Sequence, residues 1–143
     1  MTEQECTIRP AERGDGATLS GLFAQLGYPN PDGEVAARLA EPDPAREVLV
    51  ACHRGDMVGV LVWHRLHPVH LAPAWGLISA LVVDEGARGG GIGALLLAAA
   101  EQRAAALGCG QLELSSSLKR EGAHRFYLAQ GYCERPKRFV KAV

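Results

Sequence analysis

The stretch from Ile78 to Gly93 constrains this chain more than any other. Ile78-Ser79-Ala80-Leu81-Val82-Val83 is apolar and β-branched, which reads as a buried strand. Asp84-Glu85-Gly86-Ala87 makes a short polar turn. Four of the five positions from Gly89 to Gly93 are glycine, and Ala94-Leu95-Leu96-Leu97 then opens a long helix. A strand running through a glycine arc into a helix gathers backbone N–H groups at the helix N-terminus, where the helix itself supplies no acceptor. Backbone without side chains can be approached closely, and the helix dipole favours negative charge there. Phosphates suit such a place. A merely tight strand-to-helix turn would not need so many glycines.

The totals leave room for one domain with a real core, and residues 1–143 are read as that domain. A net charge of −1 gives no electrostatic reason to expect nucleic acid or an anionic membrane as a partner. No apolar run approaches the roughly 20 residues that span a bilayer. The start, Met1-Thr2-Glu3-Gln4-Glu5, is acidic and lacks an apolar stretch, so no secretory signal is expected and the protein is read as cytoplasmic. Cys6, Cys52, Cys109 and Cys133 form no CxxC pair and no Cys/His cluster, so they are expected to be reduced thiols. His64, His67 and His70 lie close together around Pro68. They read as loop histidines facing solvent or substrate, and no metal is expected.

Periodicity and turn residues order the rest. A short strand runs from Cys6 to Arg9. Leu19, Leu22, Phe23 and Leu26 have helical spacing within Asp15 to Leu26, which Gly27 closes. A second helix runs from Gly33 to Glu41, with Val35 and Leu39 on one face, and Pro42 and Pro44 stop it. Glu47 to His53 and Met57 to Arg65 read as a hairpin around Arg54-Gly55-Asp56. Turn chemistry accounts for that tripeptide better than an adhesion motif does. Trp75 to Val83 is the next strand. The long helix, Gly91 to Leu107, puts Ile92, Leu95, Leu96, Ala99 and Ala106 on one face. Gln111 to Ser115 is a strand, Glu121 to Gln130 a helix, and Tyr132 to Glu134 and Arg138 to Val143 read as two final strands around Pro136-Lys137. The strand–helix–strand unit over 75–115 should be parallel and right-handed. This order predicts an α/β (α+β) fold: one mixed, twisted sheet of about seven strands with helices on both faces.

Two segments carry a family resemblance. Arg88-Gly89-Gly90-Gly91-Ile92-Gly93 resembles the R/Q-x-x-G-x-G/A signature of the GNAT acetyltransferase superfamily. Ala123-His124-Arg125-Phe126-Tyr127-Leu128-Ala129-Gln130-Gly131-Tyr132 resembles that family's A-x-x-F-Y-x-x-x-G-F/Y motif. They stand in the family's order, each on the expected element, and the element order matches over nearly the whole chain. A Rossmann unit fits poorly, because the spacing is not GxGxxG and no acidic strand end follows about 20 residues on. No Gly-Lys-Ser/Thr follows to make a Walker loop.

The resemblance implies a GNAT-like fold and N-acetyltransferase activity, with acetyl-coenzyme A as acyl donor and no metal. Its pyrophosphate would lie against the amides of Gly89, Gly90, Gly91, Ile92, Gly93 and Ala94, with Arg88 adding a charge-assisted bond. A Cβ at Gly91 or Gly93 is expected to crowd that approach. The pantetheine arm would pair with the strand end Leu81-Val82-Val83, and Arg120 and Ala123 fall at cofactor-side positions of the second motif. Many members carry an asparagine where Arg120 stands, so a surface role for Arg120 stays open.

Tyr127 is the expected general acid. A departing thiolate, with a thiol pKa of about 8.5, can take a proton from tyrosine at about 10. A core role beside Phe126 is the other reading. The general base is unassigned. Many members place a glutamate where Leu77 stands here, which leaves His64, His67, His70, Glu113, or water held by Ser79 and backbone carbonyls. Ser115, Ser116 and Ser117 are placed to bond the acyl arm or cap the next helix.

The acceptor is expected to be a primary amine of a small molecule or peptide, attacking the thioester directly. No cysteine stands where a covalent nucleophile would be needed. Its pocket should form from the first two helices, the turn around Tyr28 to Asp32, and the loop His64 to Trp75. Asp32, Glu34, Glu41 and Asp43 give a modest preference for a cationic amine. A homodimer is compatible with the sequence. A non-catalytic acyl-coenzyme A sensor or scaffold is the competing reading, and a longer acyl donor or hydroxyl acceptor a third.

Overall fold

Five strands form one mixed sheet in the order β1-β2-β3-β4-β5. The computed structural model describes residues 5–116, 121–135 and 138–143. Its strands are β1 (Cys6–Pro10), β2 (Arg46–His53), β3 (Asp56–Leu66), β4 (Ala74–Val83) and β5 (Cys109–Leu114). The helices are α1 (Gly16–Leu26), α2 (Glu34–Ala40), α3 (Ile92–Ala106) and α4 (Glu121–Ala129). The first four strands are antiparallel and β5 joins β4 in parallel across α3. The β2–β3 hairpin turns through Arg54 and Gly55, both at positive φ. That is the two-residue turn whose twist suits a hairpin.

Strand alternation sends side chains to two cores. Leu49, Leu61, Trp63 and Ile78 meet Ile92, Leu96, Leu97, Ala100 and Ala104 of α3 on one face. Val50, Val60, Val62 and Val82 meet Leu19 and Leu22 of α1 and Val35 of α2 on the other. Helices therefore cover both faces, as expected. The buried stripe of α3 differs from expectation: Leu97, Ala100 and Ala104 are inside in place of Ala99 and Ala106. The helix is apolar nearly all round, so spacing alone does not choose its inner face.

The sheet is smaller than the seven strands expected. Among the described residues, neither Tyr132 to Glu134 nor Arg138 to Val143 forms a strand. The Tyr132 N–H bonds the Tyr127 carbonyl and so finishes α4 instead of joining a ladder. Phe139, Val140 and Val143 are exposed, so this run buries no face against the core. Pro136 and Lys137 lie outside the described residues.

Candidate active site

β4 and β5 part company halfway along β4. Their pairing runs from Ala74 opposite Cys109 to Ile78 opposite Leu114, and ends there. Beyond it, Ser79 to Val83 have β3 on one side and, among the described residues, no strand on the other. Alternate residues of that stretch present N–H and C=O groups to the open side, where an extended ligand could pair with them. Leu81, Val82 and Val83 lie in it. Ser116, just past β5, has a buried Oγ with no hydrogen-bond partner among the described residues.

The open edge leads into the glycine arc. Asp84 starts a single 3-10 turn, Glu85–Ala87, by accepting the Gly86 N–H at 3.1 Å. Gln25 of α1 reaches across to hold this turn. Its Nε2 donates to Asp84 Oδ1 at 2.8 Å and its Oε1 accepts the Glu85 N–H at 3.0 Å. No sequence signal marks Gln25, because the contact joins residues far apart in the chain. Arg88 folds back, with Nε on the Val83 carbonyl at 3.2 Å.

Gly89 and Gly91 adopt φ of 86° and 80°, a conformation that favours glycine. Gly91 is the N-cap of α3 and offers no side chain to the first turn. The first N–H of α3 with a backbone partner at its own start is that of Leu95, on the Gly91 carbonyl at 3.1 Å. The amides of Ile92, Gly93 and Ala94 precede it and form the orphan set of a helix N-terminus.

Gly93 also meets a constraint inside the protein. A Cβ there would stand 3.1 Å from Cζ of Phe126, so its bareness lets α4 press against α3. Phe126 in turn meets Tyr127 edge-on, with ring centroids 5.3 Å apart, and Tyr127 meets Tyr132 at 6.1 Å. Tyr127 is partly buried and packs on the same core as Leu81 and Val83. Tyr132 donates its hydroxyl to Glu101 at 2.9 Å. Burial first, then that bond, pushes the Tyr132 phenol above its ordinary pKa. Ala123 is half-buried on α4. Arg120 and Ser117 lie outside the described residues.

The far face of the sheet carries the polar groups proposed for proton removal. Cross-strand register sets Arg46, His64, Leu77 and Glu113 in one row over β2, β3, β4 and β5. A bulge interrupts the β3–β4 pairing, with Val62 opposite Ala80 but Trp63 opposite Ile78, so Ser79 is the extra residue. His64 Nε2 and Ser79 Oγ stand 2.9 Å apart. His67 is used otherwise: its Nε2 faces the Leu71 and Ala72 carbonyls at 3.1 and 3.2 Å. Those are acceptors, so that nitrogen carries the proton. Glu113 Oε2 accepts from Gln111 at 3.0 Å. His70 is exposed in the loop.

The expected acceptor elements are only partly brought together. A cleft of ≈ 450 Å³ lies between α1 and α2, lined by residues such as Ser20, Asn30 and Asp32. None of its lining comes from β4, the arc or the 67–73 loop. Two of the acidic residues are engaged locally. Glu34 pairs with Arg38 at 3.3 Å, and Asp43 accepts the Ala45 N–H at 3.0 Å. Among the described residues no three His, Cys, Asp or Glu side chains group to hold a metal ion. No described helix is long and apolar enough to cross a membrane.

A split sheet whose open strand edge runs into a helix N-terminus without a side-chain cap marks a class of α/β protein suited to an extended, anionic ligand. Comparison with known proteins gives the class its family. Residues 19–132 match the acetyltransferase (GNAT) family, and the chain belongs to it. It is an N-acetyltransferase. It is 36% identical to the aminoalkylphosphonate N-acetyltransferase of Salmonella typhimurium strain LT2, over 96% of this chain and 92% of that one. A structure described as a transcriptional regulator from Bacillus halodurans C-125 superposes with a TM-score of 0.85 at 26% identity, covering 96% and 99% of the two chains. An aminoglycoside acetyltransferase from an uncultured soil metagenomic sample shares the fold, with a TM-score of 0.82 at 20% identity over 99% and 98%.

Proposed function

We propose that this chain transfers acetyl from acetyl-coenzyme A to a short primary amine that also bears an anionic group. The observation that carries the donor half is the continuous path from the open β4 edge to the bare first turn of α3. Gly89, Gly90, Gly91, Ile92, Gly93 and Ala94 hold the pyrophosphate through their amides, and Arg88 adds charge. Leu81, Val82 and Val83 pair with the pantetheine amides. The Ser116 hydroxyl, which has no hydrogen-bond partner among the described residues, and half-buried Ala123 are the further groups assigned to this path. The donor supplies an acetyl thioester. A backbone N–H of the open edge polarises its carbonyl oxygen, and the Tyr127 phenol delivers the proton that the leaving sulfur takes up.

For the acceptor, the substrate class that names the Salmonella relative and one feature of this chain agree. Arg46 stands opposite His64 on the face that the amine would approach. Its Nη2 donates to the Arg38 and Glu41 carbonyls, each at 3.1 Å, which holds the guanidinium at the end of α2. An alkylamine carrying a phosphonate would place its anion toward Arg46 and its nitrogen toward the β4 bulge.

Thiol release from acetyl-coenzyme A, followed over a panel of amines, tests this. 2-Aminoethylphosphonate should exceed an uncharged amine of equal length, and Arg46→Ala should remove most of that preference. Equal rates for both amines would refute the acceptor assignment. Tyr127→Phe should lower kcat by about 10²–10⁴ with coenzyme A affinity unchanged. Lost affinity with normal turnover per bound donor would make Tyr127 structural.

A further inference from the structure

We propose that His64 and Ser79 together take the proton that the acceptor amine must lose before it attacks. This rests on the reading above, in which the amine arrives at the β4 bulge. Three observations converge on the pair.

First, the bulge places Ser79 at the start of the open edge. Ile78 is the last residue of β4 paired with β5, so Ser79 is the first that a ligand between the strands would meet. Its side chain is exposed, and a bulge is a common device for re-aiming one side chain in a strand. Second, His64 is half-buried one strand away and already within hydrogen-bond distance of that hydroxyl, at 2.9 Å. Third, two of the competing groups are engaged, and a third, His70, stands exposed in the loop after β3. His67 Nε2 donates to loop carbonyls, Glu113 accepts from Gln111, and Leu77 has no titratable atom.

The proton balance is simple. In the working tautomer His64 carries its proton on Nδ1, and Nε2 accepts from Ser79 Oγ. An N–H bond of the ammonium breaks and its proton goes to Ser79 Oγ. The original Ser79 proton moves to His64 Nε2, and the nitrogen lone pair is left free. After the product leaves, the imidazolium gives its Nε2 proton to water, which restores the tautomer with the proton on Nδ1. Imidazole is the commonest side chain in general acid–base catalysis. Two charges flank the pair across the sheet: Arg46 beside His64, and Glu113 beyond Leu77.

The test compares His64→Gln, His64→Ala and Ser79→Ala with the parent on two amines. One is a strongly basic alkylamine, protonated at pH 7. The other is a weakly basic amine of similar size, already neutral there. The pair predicts a kcat loss of about 10²–10⁴ for each variant on the basic amine, at least tenfold less on the neutral one, and unchanged coenzyme A affinity. Added imidazole should restore part of the His64→Ala rate. Equal losses on both amines, or rates within threefold of the parent on the basic one, would overturn the proposal.

A second measurement does not depend on turnover. Nitrogen NMR of the whole protein at about pH 8 reads the His64 tautomer directly. Nε2 should be unprotonated, and Ser79→Ala should move its shift. A proton on Nε2 would overturn the relay even if no amine were turned over. Failure of the parent to bind coenzyme A would instead overturn the donor site.

Discussion

Gly91 and Gly93 stand two residues apart and do different work. Gly91 is needed for its backbone, at φ 80°, where a β-branched residue would be strained by roughly 1–3 kcal/mol. Gly93 is needed for its lack of volume against Phe126. Their substitutions should therefore separate. Gly93→Val should cost stability of about 1–3 kcal/mol through overpacking, and Phe126→Leu in the same chain should recover part of it. Gly91→Val should weaken coenzyme A binding more than it lowers the unfolding midpoint. Thermal unfolding beside calorimetric titration checks both. Identical profiles for the two variants would show that the glycines share one role. Sequence alone gives both the same reading, because what a missing Cβ would touch depends on a helix more than thirty positions away.

Among the elements, α1 is tied to the site at its far end and to β1 at its near end. Gln25 bridges Asp84 and Glu85. Gln25→Ala should lower stability by about 1–2 kcal/mol and speed hydrogen exchange at the Glu85 amide, which would lose its acceptor. Exchange unchanged at Glu85 would contradict the bridge. At the other end Asp15 meets Arg9 at 2.8 Å and accepts the Glu12 N–H at 2.7 Å. The Arg9 guanidinium, followed by that N–H, holds the Asp15 carboxyl below its ordinary pKa. A depressed folded-state pKa means the pair stabilises the fold fully above the unfolded value of about 3.9. That stability is lost as pH falls through the folded value. Asp15→Asn should therefore flatten the stability–pH curve below about pH 4, and an unchanged slope there would contradict the assignment.

For the molecule as a whole, the sequence is legible where a local rule is decisive. The order of the first nine elements follows from periodicity and from stops such as Gly27, Pro42 and Gly108. The β4–arc–α3 path follows from β-branching and glycine. Legibility fails where the outcome depends on partners distant in the chain. Arg138 to Val143 alternates weakly and looks like a strand, but a strand needs a ladder partner and a buried face, and neither is written into six residues. The inner face of α3 is undecided in an alanine-rich helix. The Ser79 bulge is invisible in sequence, because β4 reads as a uniform run. Sequence leaves His64 as one of several candidates, and only the bulge and its 2.9 Å contact set it beside Ser79.

The central claim is that coenzyme A lies along the open β4 edge with its pyrophosphate on the first turn of α3. Amide chemical shifts during a coenzyme A titration test it most directly. The largest changes should fall at residues 89–94 and 79–83, with β1 and β2 nearly silent. No binding, or binding whose shifts map elsewhere, would contradict the account.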